Sequence, residues 1–429
     1  MPENSHAIRI PVPGVDAIHR HNRAVSMIGP LRMPTRERLV QALIEIASIG
    51  PGPRVGLTWH GDGRAWVYDP EVLPELCDSL IEERIGDGPD AFRELMPHLT
   101  LTESEQPVAR WIIVGDYLIQ SSDHSIGDVG MLTGLPVALL EVAEGRPVPD
   151  WLAAASAGHP LRTALWQTFR SPKAVRELRR ARREERARLA VRSDAETPAA
   201  DASPTASPWT PSPAYSVGVL EGDALKDLRH WLRGPGGGAS LNTALLTVMR
   251  RAFSHHEIVT ADQVSMIYDS RRYLPAGVTT RGNFITGLPV DASDDLGGID
   301  GQVKRAAESG RPLAALAVGA ARARLTAEPG GLPDRADAHP VARITMSDGG
   351  VSRALAAAPW TAPERDRLAV FTVGPTPPDE VGVLAAIVGA SVQVVVSYND
   401  NVFDVDRVES AVAQAVREPV TLLAEPAHA

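Results

Sequence analysis

The stretch RWIIVGDYLIQSSDHSIGD, residues 110–128, joins an apolar run to a polar turn. Residues 110–120 are rich in β-branched and aromatic side chains and predict a strand that ends at Ser121. Residues 128–143 then carry apolar side chains at helical spacing and predict a helix that Pro136 kinks or restarts. A turn from a strand into a helix holds side chains at the rim of a sheet, where binding and catalytic residues concentrate. The fold is therefore expected to present this turn to a ligand.

His124 lies in this turn, and Asp128 follows it four residues later. A neutral imidazole suits general base catalysis because its ordinary pKa lies close to working pH. Of the twelve histidines in the chain, only His124 has an aspartate four residues on. The spacing alone is equally typical of a surface histidine beside an aspartate that caps a helix.

Composition and charge exclude several classes of protein. The chain of 429 residues is 44% apolar and 22% charged, which is enough to bury a large core. Its formal charge of -10 argues against a dedicated nucleic-acid surface. No apolar run approaches the roughly 20 residues that span a bilayer, and the first 13 residues lack a signal pattern. The single cysteine, Cys77, rules out an internal disulfide and a thiolate zinc cage, so we expect a cytoplasmic protein in which any metal site would need His and carboxylates alone.

A change of composition divides the chain. Residues 173–192, KAVRELRRARREERARLAVR, predict a solvated charged helix; a nucleic-acid patch is the sharper alternative, but it lacks interleaved aromatics. Residues 193–213 are rich in Pro, Ala and Ser and predict a flexible linker. We therefore expect an N-terminal lobe over residues 1–170, the charged helix and linker over 171–215, and a C-terminal lobe over 216–429.

Both lobes mix helices and strands, which predicts an α/β protein. The N-terminal lobe has one further helix and a strand pair, and the C-terminal lobe has two helices and several strands. Residues 381–388 fit a strand and a short buried helix equally well. The predicted helices are 35–47, one that follows Ser240, and 406–416 capped by Asp404 or Asp406, and the predicted strands are 54–58, 65–68, 263–267, 369–373 and 391–398.

The residues around His124 resemble the HxxxD acyltransferase superfamily, which includes chloramphenicol acetyltransferase, the condensation domains of nonribosomal peptide synthetases and the polyketide-associated acyltransferases. Condensation-type members carry His-His-x-x-x-Asp-Gly between a core strand and a helix. This chain has DHSIGDV at residues 123–129, which keeps the second histidine and the aspartate.

Other segments resemble the family in its order and approximate spacing, and together they span nearly the whole chain. Of these, the segment that contains Gly282, Asn283 and Phe284 is the most specific. The segments are PGPRVGLTWHGDGRAW (51–66), GGGASLNTALLTVMRRAF (236–253), YDSRRYLPAGVTTRGNFITGLPVD (268–291), SDGGVS (347–352) and SVQVVVSYNDNVFDVDRVESAV (391–412).

The resemblance implies two chloramphenicol-acetyltransferase-like lobes, each a mixed sheet with flanking helices, arranged in a V around a central channel. It also implies transfer of an acyl group from a thioester on coenzyme A or on a phosphopantetheinyl carrier protein to an alcohol or amine. The product would be an ester or an amide of bacterial secondary metabolism. No permanently bound cofactor, metal, nucleic acid or membrane is implied.

The resemblance also assigns roles to residues of the turn. His124 would be the general base near the middle of the channel. Asp128 would point away from the substrate and hold the turn by pairing with an arginine, for which Arg54 is the first choice. Asp123 is either a solvated or hydrogen-bonded carboxylate, or a group that steers an amine substrate or raises the pKa of His124.

Residues of the predicted channel complete the set of candidates. The oxyanion of the tetrahedral intermediate needs preplaced donors, for which the N–H groups around Gly127 or Gly349 and the hydroxyl of Ser347 are open alternatives. The Ser347 segment is equally typical of an ordinary turn. Arg271 and Arg272 either bind a phosphate of the donor or form an interlobe salt bridge.

The chain departs from the family pattern at three points, and two of them, Val129 and the missing latch, favour a second hypothesis. Asp123 replaces the first histidine, Val129 replaces the glycine and narrows the channel beside His124, and the Asp-Phe-Gly-Trp-Gly latch of synthetase condensation domains is missing. The missing latch indicates a freestanding enzyme or a relative of the polyketide-associated and alcohol acyltransferases. The alternative is a catalytically inactive docking module that binds a carrier protein or partner enzyme, and cyclisation or dehydration of a carrier-bound chain is a third possibility.

Overall fold

A computed structural model of the protein describes residues 6–20, 22–101, 107–153, 158–193, 206–293, 295–325, 331–374 and 376–425. The predicted linker over residues 193–213 lies largely outside these ranges. Within them, no helix is long and apolar enough to cross a membrane.

The strands of the described residues fall into two large sheets and two small ones. They are β1 (Ile8–Pro11), β2 (Arg23–Gly29), β3 (Leu57–Trp59), β4 (Ala65–Tyr68), β5 (Ile81–Arg84), β6 (Ala109–Val114), β7 (Tyr117–Asp123), β8 (Ser207–Pro208), β9 (Pro213–Leu220), β10 (Gln263–Asp269), β11 (Ile285–Asp291), β12 (Arg335–Ala336), β13 (Arg343–Val351), β14 (Leu368–Gly374), β15 (Glu380–Val388) and β16 (Ser391–Asn399).

The described residues also form helices. They are α1 (Gly14–Ala17), α2 (Arg36–Ser48), α3 (Leu73–Ser79), α4 (Gly88–Thr100), α5 (Val129–Ala143), α6 (Asp150–Ala153), α7 (Pro160–Phe169), α8 (Pro172–Ser193), α9 (Gly222–Arg233), α10 (Leu241–His255), α11 (Leu296–Glu308), α12 (Arg311–Leu325), α13 (Arg353–Ala357), α14 (Val405–Arg417) and α15 (Pro419–Ala424).

Several predicted helices are confirmed. Their first residues could be predicted because each is preceded by a residue type that commonly caps a helix. The side chains of Thr35, Asp128, Ser240 and Asp404 accept backbone N–H bonds at the starts of α2, α5, α10 and α14. The charged run predicted as a helix over residues 173–192 is α8. Residues 381–388, which the sequence left open, form the strand β15.

The sheet of the N-terminal lobe has the order β14-β2-β7-β6-β5. The single strand predicted over residues 110–120 is wrong: the chain forms the hairpin β6–β7, with Val114 paired to Tyr117. Gly115 opens the two-residue turn at a φ of +57°, a conformation that glycine adopts without steric cost. The hairpin carries β7 through the middle of the sheet and ends it at the turn of His124.

The sheet of the C-terminal lobe has the order β11-β10-β13-β15-β16-β9. Here β13 lies parallel to both β10 and β15, and the other pairs are antiparallel. The predicted mixture of helices and strands in both halves of the chain is confirmed.

Strand β14 crosses from the C-terminal half of the chain into the N-terminal sheet. It pairs with β2 from Leu368 opposite Gly29 to Gly374 opposite Arg23. A buried cluster also joins the sheets, since Val370 of β14 and Val395 of β16 belong to it together. The division into lobes at residues 170 and 215 remains a prediction, but sheet membership does not follow it.

This interlock predicts that the two lobes unfold together. Leu43 and Leu246 are fully buried in the separate cores of the N- and C-terminal lobes. We expect Leu43→Ala and Leu246→Ala each to lower the free energy of unfolding by about 2–5 kcal/mol. In both variants, urea unfolding followed by tryptophan fluorescence and by circular dichroism should show one shared transition.

Leu325→Ala is the matched control, because this leucine is 85% exposed at the end of α12. It should change the free energy of unfolding by no more than about 0.5 kcal/mol. Two separate transitions, of which each buried variant shifts only one, would contradict cooperative unfolding of the lobes.

Candidate active site

The turn after β7 places His124 by a short series of backbone bonds. Asp123 ends β7 and its side chain accepts a bond from the N–H of Ser125 at 2.9 Å. His124–Ile126 form one turn of 3-10 helix, and α5 begins at Val129. The N–H of His124 donates to the carbonyl of Asn22 at 2.7 Å. The backbone of His124 is therefore held from two directions.

A buried carboxylate, Asp16 of α1, anchors this turn to the C-terminal lobe. Its Oδ1 accepts from the backbone N–H of Asn283 at 2.6 Å and its Oδ2 accepts from Arg54 at 2.8 Å. Arg54 also donates to the carbonyls of Ser125 and Ile126. Asn283 Nδ2 donates to the carbonyl of His124 at 2.8 Å. A single charge thus organises both groups that hold the backbone of the turn.

The predicted pairing of Arg54 with Asp128 is wrong. Asp128 Oδ2 instead accepts from Arg271 Nη1 at 2.6 Å, and Arg271 Nη2 donates to the carbonyl of Gly282. Arg54 has the fully buried Asp16 as its partner. The expectation that Asp128 pairs with an arginine therefore holds, but the arginine comes from the other lobe.

The side chain of His124 is buried. Burial lowers the pKa of His124 below its ordinary value of about 6.5, although its own carbonyl, Asp128, Asp123 and the side chain of Asn283 favour the charged form. No hydrogen bond of normal length reaches its Nδ1 from the described residues. The imidazole is thus neutral at neutral pH, as a general base must be.

His19 lies against His124, a contact that the sequence did not indicate. The two ring centroids are 4.7 Å apart and the planes are inclined by only 20°. Burial, and then the neighbouring His124, lower the pKa of His19 well below its ordinary value. The site therefore contains two stacked neutral imidazoles.

A cavity of about 830 Å³ opens at these rings and is lined by both lobes. Such a volume is typical of sites for drug-sized ligands. The N-terminal lobe contributes His19, His124 and Val129, and the C-terminal sheet contributes Ser347 and Gly349. Of the sequence candidates, His124, Ser347 and Gly349 thus line one cavity. Val129 lies beside His124, where the departure from the family pattern was expected to narrow the channel.

Two candidates of the turn do not face this cavity. Asp123 is 1% exposed, and its carboxylate accepts from the backbone of Ser125 and acts on Arg20 and Arg23. It favours the charged form of His124, as one hypothesis held, but burial outweighs it. Its carboxylate is a structural cap and does not steer a substrate.

Gly127 is required for close packing and its N–H is already used. The N–H donates to the carbonyl of His124 at 3.3 Å, so it is not a free donor for an oxyanion. A Cβ at this position would lie 2.3 Å from Met131 and 3.0 Å from the carbonyl of Arg281. Glycine therefore lets the turn approach α5 and the C-terminal lobe.

Ser347 and Gly349 lie in the strand β13. The interpretation of this segment as an ordinary turn is therefore wrong. The register of β13 shifts between Asp348 and Gly350, so Gly349 occupies a bulge. The side chain of Asp348 accepts from the N–H of Gly350 at 2.7 Å. A bulge re-aims the strand at the point where it borders the cavity.

Arg271 and Arg272, each considered for donor-phosphate binding or for an interlobe salt bridge, differ in their contacts. Arg271 forms the interlobe salt bridge with Asp128, which occupies its guanidinium. Arg272 is exposed at the cavity, where it stacks over Tyr268 at 5.5 Å, and no carboxylate pairs with it among the described residues. Only Arg272 thus remains open to an anionic ligand.

No family model matches this sequence, and no curated protein matches it. Solved structures match it over nearly its whole length. Trichothecene 15-O-acetyltransferase from Fusarium sporotrichioides has a TM-score of 0.67 at 12% identity, with 97% of this chain and 96% of that chain covered.

Two condensation domains match as well. The first condensation domain of the calcium-dependent antibiotic synthetase, solved with a substrate analogue, has a TM-score of 0.57 at 14% identity and covers 98% of this chain and 97% of its own. The condensation domain of the monacolin K polyketide synthase has a TM-score of 0.57 at 13% sequence identity, with 98% of both chains covered. The chain has the fold of these condensation domains and acetyltransferases. The expectation of a condensation-like, chloramphenicol-acetyltransferase-like fold is confirmed.

Some site residues had no recognisable signal in the sequence. Asp16 and His19 lie in a short loop and helix near the N-terminus with no periodicity or motif, and only the tertiary fold brings them to His124. Asn283 stood in a segment that resembles the family, but nothing in the sequence gave it a partner. For Arg271 the interlobe salt bridge was one of two roles considered, but the sequence did not identify Asp128 as its partner.

A double-mutant cycle can test which arginine pairs with Asp128. Because Asp128 contacts Arg271 directly, we expect Asp128→Asn and Arg271→Gln to show a coupling energy of about 1–3 kcal/mol in urea unfolding. Asp128→Asn with Arg54→Gln should couple more weakly, because both residues hold the turn but do not touch. The reverse order of the two coupling energies would contradict the pairing described here.

Proposed function

We propose that this protein transfers an acyl group from a thioester to an alcohol or amine, with His124 as the general base. One observation carries the proposal: a buried imidazole with a lowered pKa lines a large cavity between two lobes that have the fold of an acetyltransferase. The catalytic role of His124 rests on its geometry together with this likeness of fold.

The proton would follow a closed cycle on His124. Its neutral imidazole accepts the proton of the hydroxyl or amine as that group attacks the thioester carbonyl. The tetrahedral intermediate then collapses, the carbon–sulfur bond breaks, and the imidazolium returns the proton to the departing thiolate. The products are an ester or amide and a free thiol, and His124 ends neutral.

Burial makes His124 suitable for this task. Burial lowers the pKa of His124, which favours the neutral, proton-accepting form of the ring. The buried backbone bonds to Asn22 and Asn283 keep the residue in place. Asp128, with Arg271 as its partner, supports the turn and does not relay a proton.

The developing oxyanion needs a donor that faces the same cavity. Gly127 is excluded because its N–H is already bonded. Ser347 lines the cavity in β13, and Gly349 lies in the bulge two residues later. We propose the hydroxyl of Ser347 as the donor, with the N–H of Gly349 as the alternative.

The donor would be coenzyme A or a phosphopantetheinyl carrier protein, both of which carry phosphate. Arg272 is the cation at the cavity that no carboxylate neutralises among the described residues. We propose that it binds a donor phosphate, whereas Arg271 is committed to Asp128. Secondary metabolism in the bacterial cytoplasm is the proposed setting.

An inactive docking module is the second candidate, and the side chain of Val129 favours it. Val129 lines the cavity next to His124, where condensation-type members are expected to have glycine. The module would keep the fold and bind a carrier protein or partner enzyme without turnover.

The first test is the loss of thioester consumption in His124→Ala. Removing a general base should lower kcat/KM by about 10²–10⁴-fold. Mass spectrometry of acyl-coenzyme A and acylated carrier proteins, incubated with panels of alcohols and amines, measures the reaction. His230→Ala, on the exposed side of α9, should be unchanged. Full activity of His124→Ala would rule out the base, and an inactive wild type that binds carrier protein tightly would favour the docking module.

The second test separates the phosphate contact from the chemistry. Arg272→Ala should raise KM for an acyl-coenzyme A by about tenfold, the effect of losing one charge-assisted hydrogen bond. The same acyl group on N-acetylcysteamine lacks phosphate, so its kcat/KM should not change. Arg229→Ala, an exposed arginine of α9, is the control. Equal losses with both donors would contradict phosphate binding by Arg272.

A further inference from the structure

His19 and His124 form a parallel imidazole stack at one wall of the cavity. Both rings line this cavity, at a centroid distance of 4.7 Å. Neither Nε2 of His19 nor Nδ1 of His124 has a hydrogen-bond partner within the described part of the chain. A partly buried and a buried histidine that do not bond to each other or to a carboxylate through these buried atoms are not explained by the packing of a core.

The position of His19 is set by the same groups that hold the turn of His124. The N–H of His19 donates to the carbonyl of Asp16 at 3.0 Å, and its own carbonyl accepts from Asn22. The carbonyl of Asn22 in turn accepts from the N–H of His124. The loop that carries His19 is thus bonded directly to the turn of His124, so the backbones of the two residues are held next to each other.

The stack shields one face of the His124 ring from water. The charged groups around His124 are Asp123 and Asp128 on its own turn, Asp16 and Arg54 behind the turn, and Arg271 from the other lobe. Asp16 is neutralised by Arg54, and Asp128 by Arg271. With these charges paired, contact with a neutral ring leaves burial as the dominant influence on the proton affinity of His124.

We propose that His19 is a positioning residue for His124: its ring fixes the plane of the base and keeps water away from it, so that His124 stays neutral. This inference rests on the proposed function, in which His124 is the base. His19 itself takes no proton from the substrate. Any flat apolar ring at position 19 should therefore also orient the His124 ring and exclude water from it, whereas a small side chain should not.

The test compares His19→Phe with His19→Ala. Alanine opens a space that water fills, so the pKa of His124 should rise by about 0.5 units or more towards its ordinary value. Phenylalanine keeps the contact and the pKa should stay within about 0.2 units of wild type. The pKa is read by NMR of ¹³C-labelled histidine, with the His124 signal identified by its loss in His124→Gln.

Activity supplies the second readout. In His19→Ala the acidic limb of the kcat/KM profile should move to higher pH by the same amount, and kcat should fall by about tenfold, as expected for a misoriented base. His19→Phe should keep the limb in place and kcat within about threefold of wild type. His230→Ala is again the control, and thermal unfolding of each variant confirms that it is folded.

Three outcomes would overturn the proposal. If His19→Phe raises the pKa of His124 as much as His19→Ala does, the contact between rings is not the cause. If His19→Phe abolishes turnover, His19 handles a proton itself. If neither variant changes the pKa of His124, the stack has no influence. The NMR titration does not depend on turnover, so failure of the proposed function, seen as a wild type without His124-dependent activity, is distinguished from failure of this inference.

Discussion

The carboxylate of Asp16 is the interaction on which the site depends. It is fully buried, and an isolated buried charge is too costly to persist. Arg54 and the amide groups of Asn283 satisfy it, and the same two residues then hold the carbonyls of the turn from His124 to Ile126. The charge therefore brings together α1, the loop before β3, the turn of His124 and the C-terminal lobe. No pair of these elements is local in the sequence.

A second ion pair, Asp128 with Arg271, ties the same turn to the C-terminal lobe. With both carboxylates paired to arginines, the side chain of His124 has no ion-pair partner within the described part of the chain. This arrangement explains why the pKa of His124 is lowered although two aspartates are close to it in sequence. The carboxylate of Asp128 is committed to Arg271, and that of Asp123 to the backbone and to nearby arginines. Burial then decides the state of the ring.

The local elements were predictable where one segment contains its own signal. Thr35, Ser240 and Asp404 predict the starts of helices, because a capping residue and its helix are adjacent in the sequence. The single strand predicted over residues 110–120 was wrong because two apolar runs are separated by Gly115 and Asp116, a pair typical of a two-residue hairpin turn. The place of β14 in the N-terminal sheet had no signal, since strand partners distant in sequence are chosen by sheet packing.

The sequence by itself determined the chemistry available: a histidine and an aspartate at fixed spacing in a turn between strand and helix, in a chain with one cysteine and an acidic balance. Only the tertiary structure decided the partners. It gave Asp128 to Arg271 and Arg54 to Asp16, occupied the N–H of Gly127, separated the roles of Arg271 and Arg272, and laid His19 against His124. The physical reason is that ion pairs, stacking and burial depend on distances of a few ångströms between segments far apart in the chain, and a pattern read along one sequence contains no such distances.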